Sequence, residues 1–95
     1  YKEGKRYRGK YFILIHFPNE LGFSRCAVVA SKKTGNAVTR NRIKRRMRVL
    51  FRRNKHLLTF PMDLIVLTTA EINTIPWREL QKEYLKSIRM IIRKH

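Results

Sequence analysis

Hydrophobic positions along the chain fall into three short runs and two longer periodic segments. The short runs cover residues 11–17, 26–31 and 62–69, and their content of β-branched and aromatic residues favours β-strands. The middle run is continuous, small and apolar, so we expect a strand buried on both faces. Residues 1–9 are basic and interrupted by glycines, and they predict a loop or the entry to a strand.

The two longer segments carry apolar residues at helical spacing. The first begins near Asn36, a residue type that favours the N-cap, and runs to about Lys55. Its apolar stripe consists of Ile43, Met47, Leu50 and Phe51. The second has Thr74 as a possible cap and Pro76 in its first turn. Its apolar face consists of Trp77, Leu80, Tyr84, Ile88, Ile91 and Ile92.

These elements predict a single α+β domain over residues 1–95. The order β-β-α-β-α places two helices against a small sheet, which is a two-layer α-β sandwich. A chain of this length has room for one modest core.

The net charge of the chain says more about its function than any other feature of its composition. The chain has 23 Lys and Arg but only 6 Asp and Glu, for a formal net charge of +17. Between Leu21 and Met62 there is no acidic residue at all. Self-repulsion on this scale is relieved by a polyanionic partner, and RNA, DNA or an anionic membrane would each serve.

The first predicted helix concentrates this charge in a stripe. Asn41, Arg45, Arg48 and Arg52 recur at i, i+4, i+7 and i+11, well round the helix from the apolar residues. Helix surfaces usually mix charges, because opposite charges four residues apart are stabilising. Arginine pairs bidentately with phosphate and stacks on bases, so the stripe predicts a helix that follows a phosphate backbone. A solvated basic face without a fixed partner is the alternative.

Two further features point more weakly to nucleic acid. Lys32 and Lys33 lead into the helix N-terminus, where backbone amides favour anions. Alternation along the first strand gives it one face with aromatic and aliphatic residues, which are Tyr11, Ile13, Ile15 and Phe17. One face of this strand must pack on helices, and the other offers a stacking surface for single-stranded nucleic acid. For any single aromatic residue, packing in the core is the alternative.

The side chains supply no catalytic set and no metal site. His16, His56 and His95 are scattered, and Cys26 lies alone in an apolar run, where a buried core position is expected. We find no zinc-binding spacing, phosphate-binding glycine loop or nucleophile elbow. No segment is long enough to span a bilayer and no signal peptide opens the chain, so we expect a cytoplasmic protein without a membrane partner.

The segment from Ser31 to Arg45, SKKTGNAVTRNRIKR, closely resembles the signature of the bacterial ribonuclease P protein family. Its Arg-Asn-Arg element is Arg40-Asn41-Arg42, and the resemblance continues through Arg48 and Phe51-Arg52. It also covers Gly4-Lys5 and the strands on either side of the helix, so that it spans the whole chain in effect.

The resemblance implies properties that composition and spacing do not show. The family fold is an α-β sandwich with a left-handed β-α-β crossover, against the usual handedness. The family's protein is the accessory subunit of an endoribonuclease whose catalyst is a large RNA. That RNA binds most of the Mg²⁺ and removes the 5′ leader from precursor tRNA. The partners expected from the resemblance are therefore the catalytic RNA and the leader, with no small-molecule substrate.

Site residues follow from the resemblance position by position. The residues expected to bind RNA are Lys32, Lys33, Arg40, Asn41, Arg42, Lys44, Arg45, Arg48 and Arg52. In the family, a cleft between an N-terminal helix and the sheet binds the single-stranded leader. Its counterparts here are Tyr1, Tyr11, Ile13 and Ile15, and some relatives carry tyrosine in place of Ile15. Most of the usual N-terminal helix is expected to be missing from this chain.

Three other classes of protein stay open. A ribosomal-type RNA-binding protein without a processing role would explain the charge and the aromatic residues equally well, and only the motif between Lys32 and Arg45 argues against it. A DNA-binding module would place the arginine helix in a major groove, but Asn41 is nearly alone there as a base-reading residue. A self-contained nuclease lacks a catalytic set.

Overall fold

A computed structural model describes residues 4–94 and contains one four-stranded sheet with two helices packed on one of its faces. The strands are β1 (Lys5–Arg8), β2 (Phe12–Pro18), β3 (Arg25–Val29) and β4 (Met62–Thr68). The helices are α1 (Ala37–Arg53) and α2 (Trp77–Lys94). Short 3₁₀ turns cover Lys32–Thr34, Lys55–Leu57 and Ala70–Thr74. The two-layer sandwich is confirmed, and β1 adds a strand where a loop or strand entry was expected.

The spatial order of the strands is β1-β2-β4-β3. β2 pairs antiparallel with both β1 and β4, whereas β3 and β4 are parallel neighbours. Parallel neighbours need a crossover connection, and α1 provides it. This is the β-α-β unit that the family resemblance implies, and its left-handedness stays a prediction.

Strand β3 lies at the edge of the sheet, and only one of its faces is covered. Val28 is buried beneath the helices, but Val29 is 46% exposed and Ala27 is also exposed. The prediction that this strand is buried on both faces is wrong. A continuous apolar run is typical of parallel strands that have helices on both sides, and both helices here pack on the same side.

The core forms where the apolar stripes of both helices meet the covered face of the sheet. All four predicted stripe residues of α1 are buried. The α2 residues buried in the same cluster are Leu80, Tyr84, Ile88 and Ile91, while Trp77 and Ile92 pack partly exposed against it. Sheet residues such as Leu14, Leu64 and Val66 complete the cluster. The helical periodicity therefore predicted the inward faces of both helices correctly.

The start of α2 differs from the sequence prediction. The Thr74 hydroxyl donates to the carbonyl of Glu71 at 2.8 Å, which closes the preceding 3₁₀ turn instead of capping the helix. The first helical hydrogen bond runs from the Leu80 amide to the Pro76 carbonyl at 3.1 Å. Thr74 is therefore not the cap. Within residues 4–94, neither helix is long and apolar enough to cross a membrane.

Candidate nucleic-acid interface

The segment before α1 is held by local hydrogen bonds that place its lysines at the helix N-terminus. The Asn36 side chain accepts from the amide of Thr39 at 2.9 Å, which confirms it as the N-cap. The buried Thr34 hydroxyl lies 2.9 Å from that of Thr68 and ties the segment to the end of β4. Lys32 and Lys33 are exposed in the turn that leads into these two anchors. They are thus positioned where an anion would also meet the amides of the first helical turn.

Gly35 joins the turn to the helix in a conformation that other residues rarely adopt. Its φ is +146° and its ψ is −167°. A Cβ added at this position would lie 2.9 Å from Cγ2 of Thr39 and 3.4 Å from Nδ2 of Asn73. Glycine is therefore required both by the backbone and by the space around it.

We expect Gly35→Ala to lower the free energy of unfolding by about 1–3 kcal/mol, because the variant must hold a strained backbone against Thr39. Urea unfolding followed by circular dichroism would measure the loss. Gly22→Ala is the control, since Gly22 also has a positive φ (+84°) but no atom lies within 4 Å of an added Cβ. A loss at Gly35 no larger than at Gly22 would contradict this account of the turn.

The predicted arginine stripe occupies the outer surface of α1. Asn41, Arg45, Arg48 and Arg52 are all exposed, because the opposite side of the helix is buried in the core. Arg42 and Arg53 are exposed beside them. No basic side chain of α1 forms an ion pair with a carboxylate of residues 4–94. The charges of this helix are therefore not neutralised within the described chain and are available to a partner.

Arg40 and Lys44 differ from the other predicted RNA-binding residues because they are only partly exposed. The Nε atom of Arg40 is buried, and the described residues provide it with no hydrogen-bond acceptor. Leaving a buried donor without an acceptor costs about 1–3 kcal/mol. Arg40 therefore lies at the inner edge of the basic surface, and its contact with RNA stays a prediction.

Arg25 does not belong to the unneutralised basic surface, although it lies in the acid-free part of the sequence. Its guanidinium donates to both carboxylate oxygens of Asp63, at 2.9 and 2.7 Å. The Asn19 side chain donates to the same carboxylate at 2.8 Å. Hydrogen bonds from Arg25 and Asn19 hold the pKa of Asp63 below its usual value. The sequence did not predict this ion pair, because its two residues are 38 positions apart in the chain.

Cys26 lies partly exposed against the core rather than fully buried as expected. Burial raises the pKa of its thiol to about 11, and the nearby charge of Arg48 opposes that shift only in part. The cysteine is therefore a thiol at neutral pH, and it lacks the thiolate character of a catalytic nucleophile. Among residues 4–94, the histidines, acids and Cys26 form no group of three that would hold a metal ion.

The residues expected to bind the leader are not equally accessible. Tyr1 lies outside the described residues. Tyr11 precedes β2, so the strand alternation does not apply to it, and it packs against the core with the Lys10 ammonium 5.7 Å from its ring centre. Ile15 is 0% exposed, and Gly4 packs so closely that a Cβ there would be 2.6 Å from its Cγ2. Of the two predicted leader residues within β2, Ile13 is partly exposed and Ile15 is not, so Ile15 serves packing rather than contact.

The face of the sheet opposite the helices, which we call the open face, has basic residues that the sequence reading did not place there. Arg6 and Arg8 on β1 pair with Ile15 and Ile13, and directly paired residues share a face. Both arginines are exposed. The signal was present in the alternation of Arg6, Tyr7 and Arg8, but it becomes interpretable only once β1 is known to be a strand.

A shallow hollow of about 350 Å³ lies across the open face. Its lining includes Phe17, Ala27 and Ile65, with the Arg25–Asp63 pair at one side. Phe17 is partly exposed, so one aromatic residue of the predicted stacking face is accessible. The open face therefore combines an apolar floor with arginines, which suits a flexible single strand.

An arginine-coated helix joins the parallel strands of this small sandwich, which places the chain among basic proteins suited to a polyanionic partner. The ribonuclease P family model matches residues 1–92. The chain belongs to the ribonuclease P protein family.

Individual relatives agree with this assignment. The ribonuclease P protein component of Thermotoga maritima is 36% identical over 84 residues, which cover 88% of this chain and 65% of that protein. That of Desulfatibacillum aliphaticivorans is 47% identical over 66 residues, covering 70% and 56%. This chain therefore spans less than two thirds of either relative.

The fold is shared with solved structures of the same family. The ribonuclease P protein from Thermotoga maritima superposes with a TM-score of 0.85 at 29% identity, covering 94% of this chain and 84% of that one. The ribonuclease P protein of Staphylococcus aureus gives a TM-score of 0.83 at 29% identity, covering 96% and 83%. The four-stranded sheet with its two helices is thus the architecture of the family.

Proposed function

We propose that this chain is the protein subunit of a ribonuclease P, and that it assists a catalytic RNA in removing the 5′ leader from precursor tRNA. Family membership supports the assignment to the endoribonuclease complex. The observation that carries the proposal is the arginine stripe of α1, which is exposed and has no carboxylate partner among residues 4–94. In this role the protein contributes binding and positioning and has no catalytic residues of its own.

The arginine stripe would hold the catalytic RNA by its phosphates. Arg45, Arg48 and Arg52 lie on successive turns of one rigid helix, so a single docking geometry presents all three to a backbone. Each neutralised phosphate releases condensed counterions, which makes the binding strong and sensitive to salt. Lys32 and Lys33 extend the contact to the helix N-terminus. Asn41, Arg40, Arg42 and Lys44 complete the proposed surface.

The open face would hold the leader of the precursor. Ile13 and Phe17 supply partly exposed apolar surface, and Arg6 and Arg8 supply positive charge beside it. A single strand needs both, because its bases stack on apolar groups while its phosphates need cations. With catalytic RNA on α1 and leader on the sheet, the protein would screen the repulsion between two RNAs.

Magnesium would be bound mainly by the RNA. Mg²⁺ prefers carboxylate and phosphate oxygens, and the described acids do not converge with other ligands on one site. The contribution of the protein would be indirect, since arginines that neutralise phosphates reduce the number of cations needed to bring two RNAs together. The cytoplasmic setting expected from the sequence stays a prediction.

Cleavage of precursor tRNA at low Mg²⁺ tests the proposal. The catalytic RNA from the same organism is assayed with and without the full-length protein, and we expect the protein to lower the Mg²⁺ concentration needed for cleavage. A precursor whose leader is too short to reach the open face should gain less from the protein. Failure of the protein to stimulate cleavage, together with co-purification of ribosomal RNA alone, would contradict the proposal and favour a ribosomal-type protein.

A further inference from the structure

A groove lies between α1 and the first residue of α2, on the flank of the helix beside the arginine stripe. Arg42, Arg45, Arg46 and Val49 follow the i, i+3, i+4, i+7 spacing of one helix face and line the groove together with Trp77. The volume is about 350 Å³, which lies at the lower end of the range for pockets that take small organic groups. The sequence pattern assigned Trp77 to the core, but its side chain is only partly buried.

A cation lies beside the aromatic floor of the groove. The guanidinium carbon of Arg46 lies 6.0 Å from the centre of the Trp77 ring, at the limit of a cation–π contact. Both side chains are partly buried, as is Val49 beside them. A planar ring entering the groove would therefore meet a flat aromatic surface, and beside it a guanidinium, a group that also stacks on bases.

The rim of the groove carries positive charge and is continuous with the arginine stripe. Arg42 and Arg45 are exposed, and neither is paired with a carboxylate in the part of the chain that the structure describes. Arg45 belongs to the stripe as well, so a backbone following the stripe passes the mouth of the groove. An aromatic floor with cationic donors at its rim matches a base and its phosphate better than it matches an aliphatic or purely anionic group.

We propose that this groove takes one unpaired nucleotide of the RNA partner, with the base stacked on Trp77 and the phosphate held by Arg42 and Arg45. The inference rests on the proposed RNA-binding function. It adds a contact that distinguishes an unpaired nucleotide from a base-paired one. A base inside a duplex cannot reach the floor of the groove, because its faces are covered by its neighbours. The groove would thus favour RNA with a bulged or single-stranded nucleotide at this point on the surface.

Trp77 is the only tryptophan in the chain, so its fluorescence reports on the groove directly. The full-length protein is titrated with an oligoadenylate of about ten nucleotides and with an abasic phosphodiester chain of the same length and charge. We expect the oligoadenylate to quench the emission and to bind about five- to a hundredfold more tightly than the abasic chain, as loss of one stacking contact predicts. The abasic chain should bind without comparable quenching.

Variants separate stacking from packing. Trp77→Leu should reduce the preference for the oligoadenylate to the part that stacking on the open face provides, while Trp77→Phe should keep most of it, with affinities measured by fluorescence anisotropy of labelled strands. Phe23→Leu is the control, because Phe23 is an exposed aromatic residue away from the groove lining. Arg46→Gln removes the guanidinium beside the ring while Trp77 is kept, and it should weaken the preference as well. Urea unfolding of each variant identifies any loss that is due to the fold.

The outcomes distinguish the groove from the proposed function on which it rests. If both strands bind with equal affinity and the Trp77 emission does not change, the groove does not bind a base. RNA binding by α1 would be unaffected by that result. Failure of both strands to bind at low salt would contradict RNA binding itself. Full preference for bases in both Trp77→Leu and Arg46→Gln would place the stacking contact elsewhere on the protein and would also overturn the inference.

Discussion

Replacement of Arg45 and Arg48 by glutamine together should lower the affinity for the proposed catalytic RNA by at least about a hundredfold at moderate salt. Each variant position removes a charge-assisted hydrogen bond worth about 1.5–3 kcal/mol, and neither residue has a carboxylate partner in residues 4–94 that would compensate. The slope of log K against log salt should fall in magnitude by about 1.8, or 0.9 for each lost phosphate contact. Filter binding across a salt series would measure both quantities.

The matched control is Arg89→Gln with Arg93→Gln, which removes the same charge from the exposed side of α2. If the binding is specific to the surface of α1, this pair should change affinity and slope far less. Equal effects of the two pairs would mean that the protein binds RNA through net charge alone. The Arg45 and Arg48 pair should also leave the protein folded, because both side chains are exposed and repel their neighbours. Unfolding of that variant would contradict the assignment of helix faces.

Replacement of Met47 by alanine should destabilise the protein by about 2–5 kcal/mol, the usual cost of truncating a large core side chain. Met47 is 0% exposed and lies where the inner face of α1 meets the sheet and α2. Since small domains have free energies of unfolding of about 5–15 kcal/mol, this loss is a large share of the total. Urea denaturation monitored by circular dichroism or Trp77 fluorescence would measure it.

Val38→Ala is the control for this prediction, because Val38 lies on the same helix but is 78% exposed. Alanine has the higher helix propensity and little packing is lost, so the change should stay within about 0.5 kcal/mol. A similar loss in both variants would indicate that helix propensity, and not burial in the core, sets the stability of α1. Together, the Arg45 and Arg48 double variant and the Met47 variant test whether the outer face of α1 binds RNA and its inner face stabilises the fold.

Local patterns predicted the helices and the exposure of the arginine stripe well. The inner stripe of α1 and the N-cap at Asn36 are confirmed, because both depend on residues within two or three helical turns of each other. The same periodicity left Arg45, Arg48 and Arg52 facing outward once the inner stripe was buried. The family was also recognisable from one contiguous segment around Arg40-Asn41-Arg42, and the family comparison confirms it.

The sequence by itself therefore determined the helix faces, the β-β-α-β-α order from β2 to α2, and the family of this protein. The tertiary structure alone decided which strand lies at the edge, that Ile15 packs beneath Gly4, and that Arg25 is neutralised by Asp63. It also brought Trp77 beside Arg46, on a different helix. The physical reason is the range of the interactions. Helix periodicity and capping act between near neighbours in the chain, whereas exposure of a strand face or of a charge depends on which distant segment packs against it.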